Sequence, residues 1–238
     1  MSDFTFSAAE LAVLINHMTG GRLLEAAPAL PELQVDEQTL AAAEEELLDR
    51  GLLVTLPFEE VSGVTSQLAS VLSAAITPDR VCIVRTVHGD HTDPPVMFSF
   101  TPECITRNQV DNQGQHVFVE LADREEAVSA ILAAGGAADK TPARKGAAKK
   151  APAKKGRATT KPRPLADLLK EATRLVMLMV VADPAEPAAA AHSLSWLETE
   201  AGLWLVDGAS DGEAPQAAPI LERALRTRVA AAIEGRNR

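Results

Sequence analysis

The chain has 238 residues, 46% of them hydrophobic but only 3% aromatic, and a net charge of −10, so it can bury one or two ordinary cores built from Leu, Val, Ile and Ala. Its two cysteines, Cys82 and Cys104, have no CxxC or other metal-ligand spacing, which excludes a disulfide-stapled secreted fold and implies a reduced, cytoplasmic setting. The first 30 residues lack a basic stretch followed by an apolar core, and the longest apolar run, Leu175 to Ala182, spans eight residues where a crossing helix takes about 20, so no membrane partner is expected.

Ser7 and Glu10 form an S-x-x-E capping box, and Leu11, Leu14, Ile15 and Met18 follow at helical spacing up to Gly20-Gly21. A second helix is expected from Asp36 to Arg50, with Leu40, Ala43, Leu47 and Leu48 inward and Gly51 closing it, then a short strand over Leu52 to Leu56. A third helix is expected from Glu59 to Ile76, with Val61, Val64, Leu68, Val71, Leu72 and Ala75 on one stripe. The period then changes from about 3.6 to 2. Strands are expected at Val81 to Val87, Val96 to Phe100, Cys104 to Val110 and Val117 to Leu121, as an antiparallel meander. Asp123 to Glu126 opens a further helix, closed by Gly135-Gly136. Beyond Pro164 the pattern predicts a helix over Leu165 to Thr173, a strand over Leu175 to Val181, a hairpin over His192 to Val206 with Trp196 and Trp204 paired across it, and a final helix from Ala218 to Glu234.

The class is therefore α+β: N-terminal helices, then an antiparallel sheet with flanking helices, interrupted by a disordered basic insertion. Four segments follow: a helical part at 1–78, strands plus a helix at 79–136, a Lys/Ala/Pro-rich linker at 137–164, and helix, strands and C-terminal helix at 165–238. The order strand, hairpin, helix in the last segment echoes Val81 to Ala134. The last segment is either a structural repeat or the completion of the first block's sheet around a surface insertion, whose loop-closure cost grows only logarithmically with length.

Charge is strongly segregated. Residues 1–139 contain six arginines, no lysine and 22 acids, a balance of −16, whereas the 24 residues from Lys140 to Arg163 carry ten cations and no acid. Rich in Lys, Ala, Pro and Gly and without an aromatic, that run cannot bury enough apolar surface to fold, and its composition resembles the lysine-alanine-proline tails of linker histones and some actinobacterial nucleoid proteins. Lys140, Arg144, Lys145, Lys149, Lys150, Lys154, Lys155, Arg157, Lys161 and Arg163 are the candidate nucleic-acid contacts, through counterion release rather than base reading, since no aromatic is interleaved. The competing reading is a solvated spacer. Helix, helix and short strand also fit a winged-helix module. However, six acids against one arginine between Asp36 and Arg50 would be repelled from a phosphate-lined groove.

His88, Asp90, His91 and Asp93 form the densest set of metal-ligating types and are the candidate metal residues. Gly89, Pro94 and Pro95 make the same stretch a polar turn, and no second cluster completes a ligand set. No phosphate-binding glycine loop is present, and no histidine is tied by sequence to a cysteine nucleophile, so neither catalysis nor a cofactor is expected.

Glu10-Leu11-Ala12-Val13-Leu14 in the opening helix, the helix ending Arg50-Gly51-Leu52, the long helix after it and the following antiparallel sheet resemble the type VII (ESX) secretion-associated chaperones. The resemblance implies an α+β fold around a central antiparallel sheet, no enzyme activity, and a surface that holds helical secretion substrates in the cytosol before export. The chain departs from that family in its Lys/Ala/Pro insertion and in lacking a substantial C-terminal helical bundle. The expected function is a non-enzymatic, cytoplasmic, chaperone-like adaptor with a protein partner; the alternative is non-specific nucleic-acid tethering through 140–163.

Overall fold

The computed structural model describes residues 3–20, 36–55, 62–137, 162–182, 184, 191–207 and 215–235. Helices flank a large antiparallel sheet, the α+β class expected. Two compact units are distinguished, Met1–Ile83 with Pro94–Ala127 and Val180–Ala191, and Val84–Asp93 with Val128–Met179 and His192–Arg238.

In the first unit, β1 (Asp3–Phe6) leads into α1 (Ala8–Thr19), α2 (Glu37–Asp49), the hairpin of β2 (Leu53–Thr55) and β3 (Ser62–Val64), and α3 (Ser66–Ile76). The chain continues through β4 (Arg80–His88) and β5 (His91–Thr92), of which Val84–Asp93 belong to the second unit, then β6 (Val96–Phe100), β7 (Ile105–Val110), β8 (His116–Leu121) and α4 (Arg124–Ala134), which passes into the second unit at Val128. The capping box forms as read: the Glu10 amide donates to Ser7 Oγ, and the Ser7 amide donates to the Glu10 carboxylate. Asp36 caps α2 by accepting from the Thr39 amide. Leu11, Leu14 and Ile15 of α1, Leu47 of α2, and Leu68 and Leu72 of α3 are buried with Phe6 and Phe118 of the sheet in one core. Arg50 ties this core's rim together, pairing with the buried Glu10 carboxylate, donating to the Thr5 carbonyl and lying over the Phe6 ring.

Two elements differ from the sequence reading. β1, whose four residues offer no period long enough to read, adds a strand against β8, with Phe4 opposite Phe118. The third helix starts at Ser66 rather than Glu59, because Ser62–Val64 pairs with Leu53–Thr55 and Thr65 occupies the N-cap in extended conformation. Val61 lies outside the described residues.

In the second unit, apart from Val180, Val181 and Ala191, β9 (Arg163–Pro164), α5 (Leu165–Glu171), β10 (Ala172–Val181), β11 (Ala191–Thr199), β12 (Gly202–Asp207), β13 (Gln216–Ile220) and α6 (Glu222–Glu234) follow in order. Strand order is β10-β11-β12-β13-β9, and in the first half of the chain it is β4-β6-β7-β8-β1. Each half ends in a four-strand meander and a helix, with the half's first strand lying beside the last of the meander; before its meander the first half carries α1, α2, the β2–β3 hairpin and α3, the second half only α5. The echo in the sequence is a correspondence of topology carried by hydrophobic period rather than residue identity.

Two further expectations are corrected. Trp196 lies opposite Leu205, and Trp204 opposite Leu197, so the tryptophans project from opposite faces instead of pairing. A displacement of one residue in register is sufficient, since successive strand side chains alternate. The final helix begins at Glu222, and Gln216–Ile220 is a strand on β12. Pro219 accounts for this: a proline pushes the preceding residue out of the helical region, which keeps Ala218 extended.

Candidate protein-binding face

The two faces of the second unit's sheet are covered unequally. On one face Trp196 and Val176 are buried beneath the end of α4, close enough to Gly135 that a side chain there would collide with the indole. Arg174, on the same face, donates to the Gly135 carbonyl and lies 3.6 Å from Glu198. The opposite face carries Trp204, Leu197 and Ala217, and its cover is α5, only seven residues long, through Leu165 and Leu168. Leu175 of β10 packs against this cluster.

Further along the same face of β10 stand Met177 and Met179, 37% and 39% exposed, while the alternate residues Val176, Leu178 and Val180 are buried. Neither terminus of a strand nor a turn explains the exposure, because both residues lie well inside a ten-residue strand. Methionine suits such a position chemically, since its unbranched, polarizable thioether adapts to differently shaped partners. Leu169 on α5 is also exposed. Large apolar side chains gathered on one strand face mark interaction sites more often than isolated ones do.

The candidate residues from the sequence are distributed differently. Of the ten cations between Lys140 and Arg163, nine lie outside the described residues. The tenth, Arg163, belongs to β9, where it holds the Glu171 carboxylate through two hydrogen bonds of 3.0 and 2.6 Å and sits 5.6 Å from the centre of the Trp204 ring. That pairing holds the Glu171 carboxyl below, and the Arg163 guanidinium above, their ordinary ranges. Arg163 therefore fastens the end of the basic run to the second unit.

The cluster at 88–93 is a tight turn between β4 and β5, with Gly89 at φ 57°. The Asp93 carboxylate lies 3.0 Å from His88 Nε2 and 3.3 Å from His91 Nε2. Among the described residues, no three His, Cys, Asp or Glu side chains are arranged to hold a metal ion. Cys82 and Cys104 are both buried and free; burial pushes the Cys82 thiol up to about 12 and also raises Cys104, helped by Glu120. Such thiols remain protonated and are poor nucleophiles. A groove beside α3, lined by Ser70, Ser73, Asp79, Glu103 and Cys104, has no imidazole in its wall.

The Met177/Met179 face was missed by the sequence reading. Leu175 to Val181 is apolar at every position, which reads as a strand buried on both sides. The available signal was the shortness of the preceding helix.

No family model and no curated protein matches the chain. Its fold is similar to that of the Mycobacterium tuberculosis type VII secretion system chaperone EspG5, solved in complex with the PE25-PPE41 dimer. The TM-score is 0.58 at 11% identity, over 96% of this chain and 94% of that one. The fold expected from the resemblance is therefore present, although few of its residues are shared. No described helix is long and apolar enough to cross a membrane.

Proposed function

We propose that this chain is a non-enzymatic, chaperone-like adaptor of the cytoplasm that takes part in type VII secretion and docks protein partners on the exposed face of β10. The observation that carries the proposal is the pair Met177 and Met179, large apolar side chains left exposed inside a ten-residue strand. The likeness to EspG5, a chaperone solved with the PE25-PPE41 dimer, supports the choice of partner class. Sites built on sheet strands are more precise than loops, and their preorganisation keeps the entropy cost of docking low.

The test is calorimetric titration of the intact chain with purified type VII secretion substrates, PE25-PPE41 among them, beside the variant Met177→Asp/Met179→Asp. Removing two apolar contacts and placing carboxylates in the interface costs about 2–4 kcal/mol, which is roughly 30- to 1000-fold in affinity. A substrate that binds the intact chain and loses affinity by that factor supports the proposal. Absence of binding across the set, or equal binding by a correctly folded variant, refutes it.

A further inference from the structure

The thioethers that let this face adapt to a partner also carry a chemical liability, because an exposed methionine is open to oxidation. Met177 and Met179, 37% and 39% exposed, project from one side of β10, whereas the other methionines among the described residues, Met18 and Met97, are less exposed, Met18 packing against the first unit's core. We propose that Met177 and Met179 are an oxidation-sensitive pair, through which hydrogen peroxide closes the docking face. The inference rests on the docking proposal above for its consequence, but not for its chemistry.

The reaction is balanced with peroxide as oxidant. A thioether lone pair attacks one peroxide oxygen, the S–O bond forms as the O–O bond breaks, and the departing hydroxide takes up the remaining proton as water. Each sulfur loses two electrons and becomes a sulfoxide. The product is polar and chiral where the reactant was apolar and flexible, and methionine sulfoxide reductases reverse it. Two sulfoxides two residues apart on one face replace the apolar surface by a pair of S=O dipoles, and docking would then bury polar groups without partners. The competing sulfur groups are slower: Cys82 and Cys104 are buried, and their thiols are held protonated.

The full chain is treated with graded hydrogen peroxide, and sulfoxide at each methionine is quantified by tandem mass spectrometry of proteolytic peptides. Met177 and Met179 are expected to oxidise at least about fivefold faster than Met18 and Met97; equal rates overturn the proposal. In parallel, the apolar dye bis-ANS is titrated against native chain, oxidised chain and the variant Met177→Leu/Met179→Leu. Dye affinity should fall severalfold on oxidation of the native chain, recover after reductase treatment, and stay unchanged on oxidation of the leucine variant. A leucine variant that loses dye affinity equally on oxidation overturns the switch. Failure of the docking proposal is read separately: selective oxidation at Met177 and Met179 would then coexist with secretion substrates that bind the aspartate variant normally.

Discussion

Gly135 lies hard against two fully buried side chains of the second unit. A Cβ placed there would lie 2.5 Å from Trp196 Cζ2 and 3.1 Å from Val176 Cγ1. Both neighbours are fully buried, so the indole cannot swing into solvent to make space. Gly135→Ala gains about 0.4–1 kcal/mol by stiffening the unfolded chain, because Gly135, unlike Gly136, does not have a positive φ. Overpacking against a buried ring costs about 1–3 kcal/mol, leaving a net loss of about 1–2 kcal/mol. The assay is urea unfolding followed by far-UV circular dichroism, in the native background and in Trp196→Phe, which removes the obstructing ring edge. In the phenylalanine background the alanine should be neutral or slightly stabilising, a coupling of at least about 1 kcal/mol. Gly114→Ala is the control: its φ is 77° with open space around it, so it should cost about 1 kcal/mol in either background. Equal costs for Gly135→Ala in the two backgrounds, or stabilisation of the native chain, would refute the close-approach argument.

Arg50→Met should destabilise the first unit by about 2 kcal/mol, since it leaves the buried Glu10 carboxylate without its cation, while Arg50's own partial exposure moderates the loss; chemical denaturation measures it, and an unchanged midpoint would count against the pairing. His116 is buried, and that burial lowers its imidazole pKa below the ordinary value. The unfolded chain therefore takes up that proton first, so the stability contribution is complete above about pH 6.5 and is lost as pH falls towards the lower folded pKa. Denaturation midpoints across pH 7.5 to 5 should fall less steeply in His116→Gln, and identical slopes would exclude this group as the cause. The alternative reading of the basic run is tested by replacing Lys140 to Lys161 with an uncharged linker and measuring duplex DNA binding against salt. Contact by all nine cations predicts a log–log slope of about −8 that vanishes with the replacement, and absence of binding at low salt leaves the run a spacer.

Legibility in this sequence follows how locally each feature is determined. The capping box at Ser7, the cap at Asp36 and the left-handed Gly20 and Gly51 are fixed by residues within one turn, so the ends of α1 and α2 were readable from them. The strands β4, β6, β7 and β8 were readable from alternation. By contrast, β1 is held by Phe4 and Phe6 lying opposite Phe118 and His116, more than a hundred residues away, and nothing in four residues announces such a partner. β3 and β13 were absorbed into neighbouring helical patterns because Val64 and Ala218 fit a helical stripe as well as a strand. Their states were decided by pairing with β2 and β12, aided at β13 by Pro219.

The candidate face shows why sites of this kind are harder to read than cores. Period 2 reports which residues share a face, but it does not say whether that face is covered, and in β10 both sets of alternate residues are apolar. What separates Val176 and Leu178 from Met177 and Met179 is the cover: the end of α4 lies over the first side, and the second side has a seven-residue helix that reaches Leu175 and the Trp204 cluster. The same contrast explains the two tryptophans. Trp196 is a core residue of the well-covered side, whereas Trp204 forms the floor beneath α5 and supports the Arg163–Glu171 pair at the end of the basic run. A binding face here is a deficit of helix over an ordinary strand, so the residues that define it are as much the short α5 as the methionines it leaves exposed. Extending cover across Met177 and Met179 should close the face without altering a single residue of β10.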